Sequence, residues 1–245
     1  GMTLNGTLNL GSGSLLNMEG DQTLSGNGSI VFGAGGNNRV GVDGGSKTLT
    51  IASGVTIRGA DGSIGLGQLI NGSGNRVVNN GTINSDGGGV ITIQGLDGGL
   101  ANNGLLRAQN GTLNVSTALS GTGTLQVDGS GPMNLAAGAK SQGTLVMGPT
   151  GAALNLNTGN LTLSTDYTNA AAGSGNSFNR RAGVSGAGQI VAGGDVAQVL
   201  RGEGVTGGNT GNATLTIGNV RVGANTYNVN IGNSGTNGPA LRGAL

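Results

Sequence analysis

Residues 77–84 read VVNNGTIN, and relatives of this phrase recur along the chain: LNGTLNL (4–10), LSGNGSIVF (24–32), IASGVTIRG (51–59), LANNGLLRA (100–108), LSGTGTLQV (119–127) and SQGTLVM (141–147). Each joins a small or amide-rich corner to a short run of alternating apolar residues, the pattern of a strand with one buried face. The glycines that open these runs, Gly6, Gly28, Gly54, Gly81, Gly104, Gly123 and Gly143, stand 22, 26, 27, 23, 19 and 20 residues apart. A second set of short runs falls between them: SLLNM (14–18), TLTI (48–51), VITI (90–93), TLNV (112–115), MNLA (133–136) and ALNLN (153–157). Two or three short strands in about 20–25 residues make one coil of a parallel β-helix, whose coils stack about 4.8 Å apart.

The composition suits such a coil. Of 245 residues, 56 are glycine and 30 are asparagine, and only Phe32, Tyr167, Phe178 and Tyr227 are aromatic. Glycine-rich chains with few large residues are commonly disordered. Here Leu, Ile and Val alternate with polar residues, and proline occurs only at 132, 149 and 239. A narrow stacked core takes Leu, Ile and Val and leaves little room for rings. Its corners call for glycine at positive φ, and for asparagine, which tolerates the left-handed region and can form amide ladders from coil to coil. Asn79-Asn80 and Asn102-Asn103 occupy equivalent places in successive phrases. The longer gaps around Gly36-Asn37-Asn38, Gly62–Gly74 and Gly87-Gly88-Gly89 predict loops leaving one edge, the kind of face that often binds.

Composition also narrows the chemistry. The chain has no cysteine and no histidine, so disulfides, thiolate metal sites and the commonest general base are excluded. A formal net charge of +1 gives no strong attraction to nucleic acid or an anionic membrane. No apolar run is long enough to span a membrane as a helix. No signal segment is visible, and the opening Gly1-Met2 reads as a cloning scar or a cut within a longer protein.

The pattern breaks after Thr165. The sequence predicts a β-solenoid over 1–165, a junction or cap over 166–204, and an antiparallel β segment over 205–245, where LTIGNV and TYNVNI read as a meander. The string GNVRVGANTYNVNIGNSGTNGPALRG (218–243) resembles the opening of a choice-of-anchor D domain, an immunoglobulin-like module of bacterial surface proteins. The features that match are Gly218-Asn219-Val220, Val222-Gly223, Tyr227-Val229-Ile231 and Asn233-Ser234-Gly235. Residues 1–165, with phrases of the type NNGTIN, resemble the β-helical passengers of autotransporter and filamentous-haemagglutinin-type adhesins. These resemblances imply an all-β protein with a right-handed parallel β-helix, on the outer surface of a Gram-negative bacterium or outside it. They bring no catalytic residues.

Each candidate site also has an ordinary structural reading. Asp43, Asp61, Asp86, Asp97 and Asp128 each precede glycine, which is turn chemistry, and no two acids share a strand two residues apart as paired catalytic carboxylates would. No catalytic, metal or cofactor residue is therefore assigned. Calcium at corner carboxylates and carbonyls is left open, although GLDGG (95–99) does not repeat as a calcium array would. Thr48, Thr50, Thr92, Thr112 and Thr162 are too irregular for an ice-binding array. Arg39, Arg58, Arg76 and Arg107 fall once in each of four coils; stacked on one side, they would form a cationic stripe for acidic polysaccharide or DNA. The interleaved Asp43, Asp61, Asp86 and Asp97 favour a mixed, solvated face instead. The leading expectation is a non-enzymatic stalk of a secreted or surface-anchored adhesin or biofilm-matrix protein, with extracellular polysaccharide or a host or abiotic surface as partner. A self-assembling filament subunit, associating end to end, is the rival. A polysaccharide-active β-helix stands third.

Overall fold

A computed structural model describes residues 1–67, 69–70, 72–135, 138, 140–147, 152–156 and 160–169, and beyond them the strands Ser177–Arg180, Gln189–Val196, Thr214–Val220 and Ala240–Leu241. All the regular structure described is β, and it forms a parallel β-solenoid of about six turns. Each coil contributes one strand to each of three columns. The first column runs Met2–Leu4, Gln22–Gly26, Thr48–Ile51, Arg76–Asn79, Leu100–Asn102 and Leu119–Ser120. The second runs Thr7–Leu10, Ser29–Phe32, Thr56–Gly59, Thr82–Ser85, Leu105–Ala108 and Thr124–Val127. The third runs Leu15–Glu19, Arg39–Asp43, Gly62–Leu66, Val90–Ile93, Thr112–Val115 and Met133–Leu135. The phrase VVNNGTIN is thus the corner between the first two columns. TLTI (48–51) belongs to the first column, while the other members of its set lie in the third.

Alternation sends every second side chain inward, and register stacks these on one another. In the second column Leu8, Ile30, Ile57, Ile83, Leu106, Leu125 and Leu145 form one row. In the third, Leu16, Val40, Ile64, Ile93, Val115 and Leu135 form another. From Ile30 and Val40 onward, these side chains are at most 1% exposed. Each buried Leu or Ile contributes about 1.5–3 kcal/mol, so the stack itself is the main stabilising element. The narrow core also takes in a ring, Phe32, which is 1% exposed. Phe32 fits because Gly62 lies over it, where a Cβ would meet the ring.

Coils continue beyond the sixth. Lys140–Met147 spans the first and second columns in one strand, and Asn160–Asn169 pairs with it in parallel. The boundary expected at 165 falls inside that strand. Gln189–Val196, Thr214–Val220 and Ala240–Leu241 add further parallel pairings. The meander expected over 205–245 needs TYNVNI (226–231), which lies outside the described residues, as does most of 218–243. The described strand Thr214–Val220 pairs in parallel on both sides instead, because its alternating residues register one coil apart with those of Gln189–Val196.

Two expectations about corners are corrected. The long loops do not leave one edge. Residues 33–38 and 86–89 emerge between the second and third columns, whereas 67–75 emerges between the third and first. Within the predicted 62–74 loop, Gly62–Leu66 is a third-column strand. The phrase glycines also serve a different purpose from the one predicted. None of them has positive φ; a Cβ at Gly28, Gly81, Gly104, Gly123 or Gly143 would instead strike a backbone carbonyl of the preceding coil. Among the described asparagines only Asn37 is left-handed, with φ 60°.

Candidate functional site

The four arginines do not form one stripe. Arg39 opens a third-column strand, and Arg76 opens a first-column strand. Only Arg58 and Arg107 share a face: they occupy one outward row of the second column, Asn9, Val31, Arg58, Asn84, Arg107, Gln126 and Val146. Spacing of about one arginine per coil suggests one stack, but coil lengths differ, so such a residue drifts from column to column.

Each of the paired arginines leans on an aspartate one coil further along. The Arg58 guanidinium donates to Asp86, and Asn84 Nδ2 donates to the same carboxylate at 3.3 Å and to Gln109 Oε1 at 3.3 Å. Arg107 Nε donates to both Asp128 oxygens, at 3.0 and 3.1 Å, its Nη2 donates to Oδ2, and Gln126 Nε2 donates to Oδ2 at 2.8 Å. That hydrogen bond to Asp128 raises the Arg107 pKa above its ordinary value against the opposing effect of burial. The Asp86 and Asp128 side chains are only 13% and 11% exposed. The row is therefore a charge-balanced ladder along the coil axis, and an anionic polymer would have to compete with both carboxylates. The predicted mixed-charge face is found at Arg58 and Arg107; Asp128, which was not among the expected counter-charges, supplies half of it.

Other aspartates tie neighbouring coils together. Asp61 Oδ2 accepts from Gly35 N at 3.2 Å and its Oδ1 from Val90 N at 3.0 Å, joining three successive coils. Asp43, 1% exposed, accepts from Leu69 N at 2.7 Å and anchors the loop 67–75. Asp21 Oδ1 accepts from Thr48 N at 2.8 Å. The Asp-Gly dipeptide marks a corner, as read, but the Asp43 side chain bonds the next coil and that of Asp61 the coils on both sides. Among the described residues no three His, Cys, Asp or Glu side chains gather as a metal-binding group.

The amide ladders expected at the paired asparagines exist. Asn80 accepts from Asn103 Nδ2 at 3.1 Å on the surface. Beneath it, Asn79 Nδ2 donates to Asn102 Oδ1 and Asn102 Nδ2 donates to Gln142 Oε1, both at 2.7 Å, with all three side chains fully buried. Gln142 reaches two coils because Gly121 stands between it and Asn102. A second amide ladder, unforeseen from sequence, climbs the outside of the third column: Asn114 Nδ2 to Thr92 at 3.4 Å, Asn134 to Asn114 at 2.7 Å, and Asn155 to Asn134. Its signal was the residue between two inward aliphatics in TLNV, MNL and ALNL. One cation is drawn inward: Lys140 lies in the core row of Leu100, Leu119 and Leu161, is 4% exposed, and donates to Gly138 O at 2.6 Å. Burial lowers its pKa to about 8.

No family model matches the chain, and searches of curated proteins and of solved structures return no match.

Proposed function

We propose that the chain is a non-enzymatic structural segment, a stalk in an adhesin or biofilm-matrix protein on or outside a Gram-negative cell. What supports this reading most is that aspartate and amide side chains are spent on joining coils. Asp21, Asp43, Asp61, Asp86 and Asp128 all accept from backbone or arginine donors, and the amides form ladders. Such a stack presents few free backbone groups along its sides and resists proteolysis, which suits a spacer that holds a binding region away from the surface. Its partner would be an extracellular polysaccharide or a host or abiotic surface. The test is incubation with pectin, alginate and hyaluronan alongside negative-stain electron microscopy. Short separate rods and unchanged polymers are expected. New reducing or unsaturated ends would overturn the reading in favour of a polysaccharide-active enzyme.

A further inference from the structure

We propose that the second column carries a binding strip for a neutral β-1,4-linked glycan lying along the solenoid axis. This rests on the reading of the chain as a non-enzymatic segment, and it gives the polysaccharide partner a site and a chemical class. Register places Ser29, Thr56, Thr82, Leu105 and Thr124 in one outward row, and each is paired with a described strand on both sides. Coils stack about 4.8 Å apart, so the row is a ladder of hydroxyls with an apolar rung at Leu105. All five residues are half-buried, which holds their side chains close to the sheet.

Strand propensity accounts for an outward threonine, but not for Ser29. Nor are these groups used to hold the coils together. The hydroxyls of Ser29, Thr56, Thr82 and Thr124 make no hydrogen bond among the described residues, whereas Thr92 of the third column is tied to Asn114. Two residues further along the same strands, about 6.6 Å away, stand Arg58, Asn84, Arg107 and Gln126. That row is tied by Asp86 and Asp128, yet it holds one unmet group. Asn84 is 8% exposed, its Nδ2 donates twice, and its Oδ1 has no partner. A buried carbonyl oxygen without a donor is destabilising, and a ligand hydroxyl seated beside Thr82 and Asn84 supplies one.

The chemistry of the two rows selects the ligand. A hydroxyl both donates and accepts, as each hydroxyl of a sugar does, so the ladder suits a partner that offers both at every step. The Arg58–Asp86 and Arg107–Asp128 pairs cancel in charge, and the strip gives an anionic polymer no advantage. Val31 and Leu105 interrupt the two rows with apolar contacts for the C–H faces of sugar rings. An extended β-1,4-linked chain advances by about one sugar per coil, so successive sugars meet equivalent rungs. Neither row holds an aromatic ring between Ser29 and Val127. Each sugar is therefore held weakly, and affinity accumulates with the number of coils spanned.

Calorimetric titration of the whole chain with cellohexaose, cellobiose and hexagalacturonate tests this. Cellohexaose should bind, cellobiose at least about tenfold more weakly, and hexagalacturonate no more tightly than cellohexaose. Combining Thr56→Val, Thr82→Val and Thr124→Val removes three hydroxyls with strand-forming isosteres. That variant should lose at least about tenfold in cellohexaose affinity without a lower urea midpoint. Thr112→Val, in the third column, should change nothing. Should the triple variant fail to fold, Thr82→Val must weaken binding while Thr82→Ser, which keeps the hydroxyl, must not. The strip is overturned if intact cellohexaose does not bind, if the valine variants bind it unchanged, if Thr112→Val costs as much, or if hexagalacturonate binds more tightly. Cleavage of cellohexaose, read as new reducing ends, would overturn the non-enzymatic reading instead.

Discussion

Asn102 shows how much one buried amide can hold. It accepts from Asn79, donates to Gln142, and lies in a fully buried column position that aliphatics occupy in earlier coils, namely Leu24 and Ile51. Its replacement by alanine leaves two buried amides short of a partner and opens a void. Asn102→Ala should cost about 2–4 kcal/mol, read as a lower urea midpoint. Gly121→Ala should cost at least about 2 kcal/mol, because φ there is +115° and a Cβ would strike the Asn102 carbonyl. A buried cation makes a second residue-scale prediction. With Lys140 at about 8 in the folded state and 10.5 when exposed, the unfolded chain binds the proton more tightly between those values. Stability therefore rises as pH climbs through that window, and below it the destabilisation is full and constant. Lys140→Met should raise the urea midpoint at neutral pH and remove its own share of the alkaline rise. An unchanged slope in the variant would show that Lys140 is not desolvated.

At the scale of the strand and its corner, the phrase glycine is the element that sets coil-to-coil distance. Gly104→Ala would press a methyl against the Gly81 carbonyl and should cost about 2–3 kcal/mol, whereas Gly6→Ala meets nothing and should cost under about 1 kcal/mol. Equal losses in thermal or urea unfolding would mean that conformational freedom, not close approach, fixes glycine there. This contrast also shows why part of the element was legible in sequence and part was not. Alternation in TLNV or GTIN fixes which residues face inward, since side chains in any strand alternate. The periodicity of the phrase likewise gives the coil. What the phrase cannot give is register, because coils of 19 to 27 residues shift any residue outside the phrase by whole corners. For that reason Asn79 and Asn102, inside the phrase, are found stacked as read. Arg58 and Arg107, also inside the phrase and two residues after its threonine or leucine, fall in one row, while Arg39 and Arg76, outside it, fall in two other columns. Asp61 belongs to this scale as well. Asp61→Ala should release both the 33–38 loop and the start of Val90–Ile93, at about 1–2 kcal/mol, and expose residues 33–38 to limited proteolysis before any other corner of the second coil.

Across the whole molecule, stability follows from stacking in one dimension. Each coil touches only its neighbours, so a coil's resistance to opening depends on how many neighbours it has and what they bury. Within residues 1–245 the first coil pairs with the second alone. Its inward Leu4, Leu10 and Met18 are 6–8% exposed and Met2, Leu8 and Leu16 more so, while the inward residues of the third to fifth coils are at or near zero. The Arg58–Asp86 and Arg107–Asp128 pairs and the Asp61 contacts tie those middle coils further. Hydrogen exchange should therefore be graded. Amides of Thr7–Leu10 should exchange first, those of Ser29–Phe32 more slowly, and those of Thr82–Ser85 and Leu105–Ala108 last, with a difference of about 2–4 kcal/mol in opening free energy between the first coil and the fifth. A covering strand from a second copy would erase the gradient at that end, and protection of Thr7–Leu10 would then rise with protein concentration. Uniform protection that does not depend on concentration would mean the stack opens as a single cooperative unit, and the one-dimensional account would have to be given up.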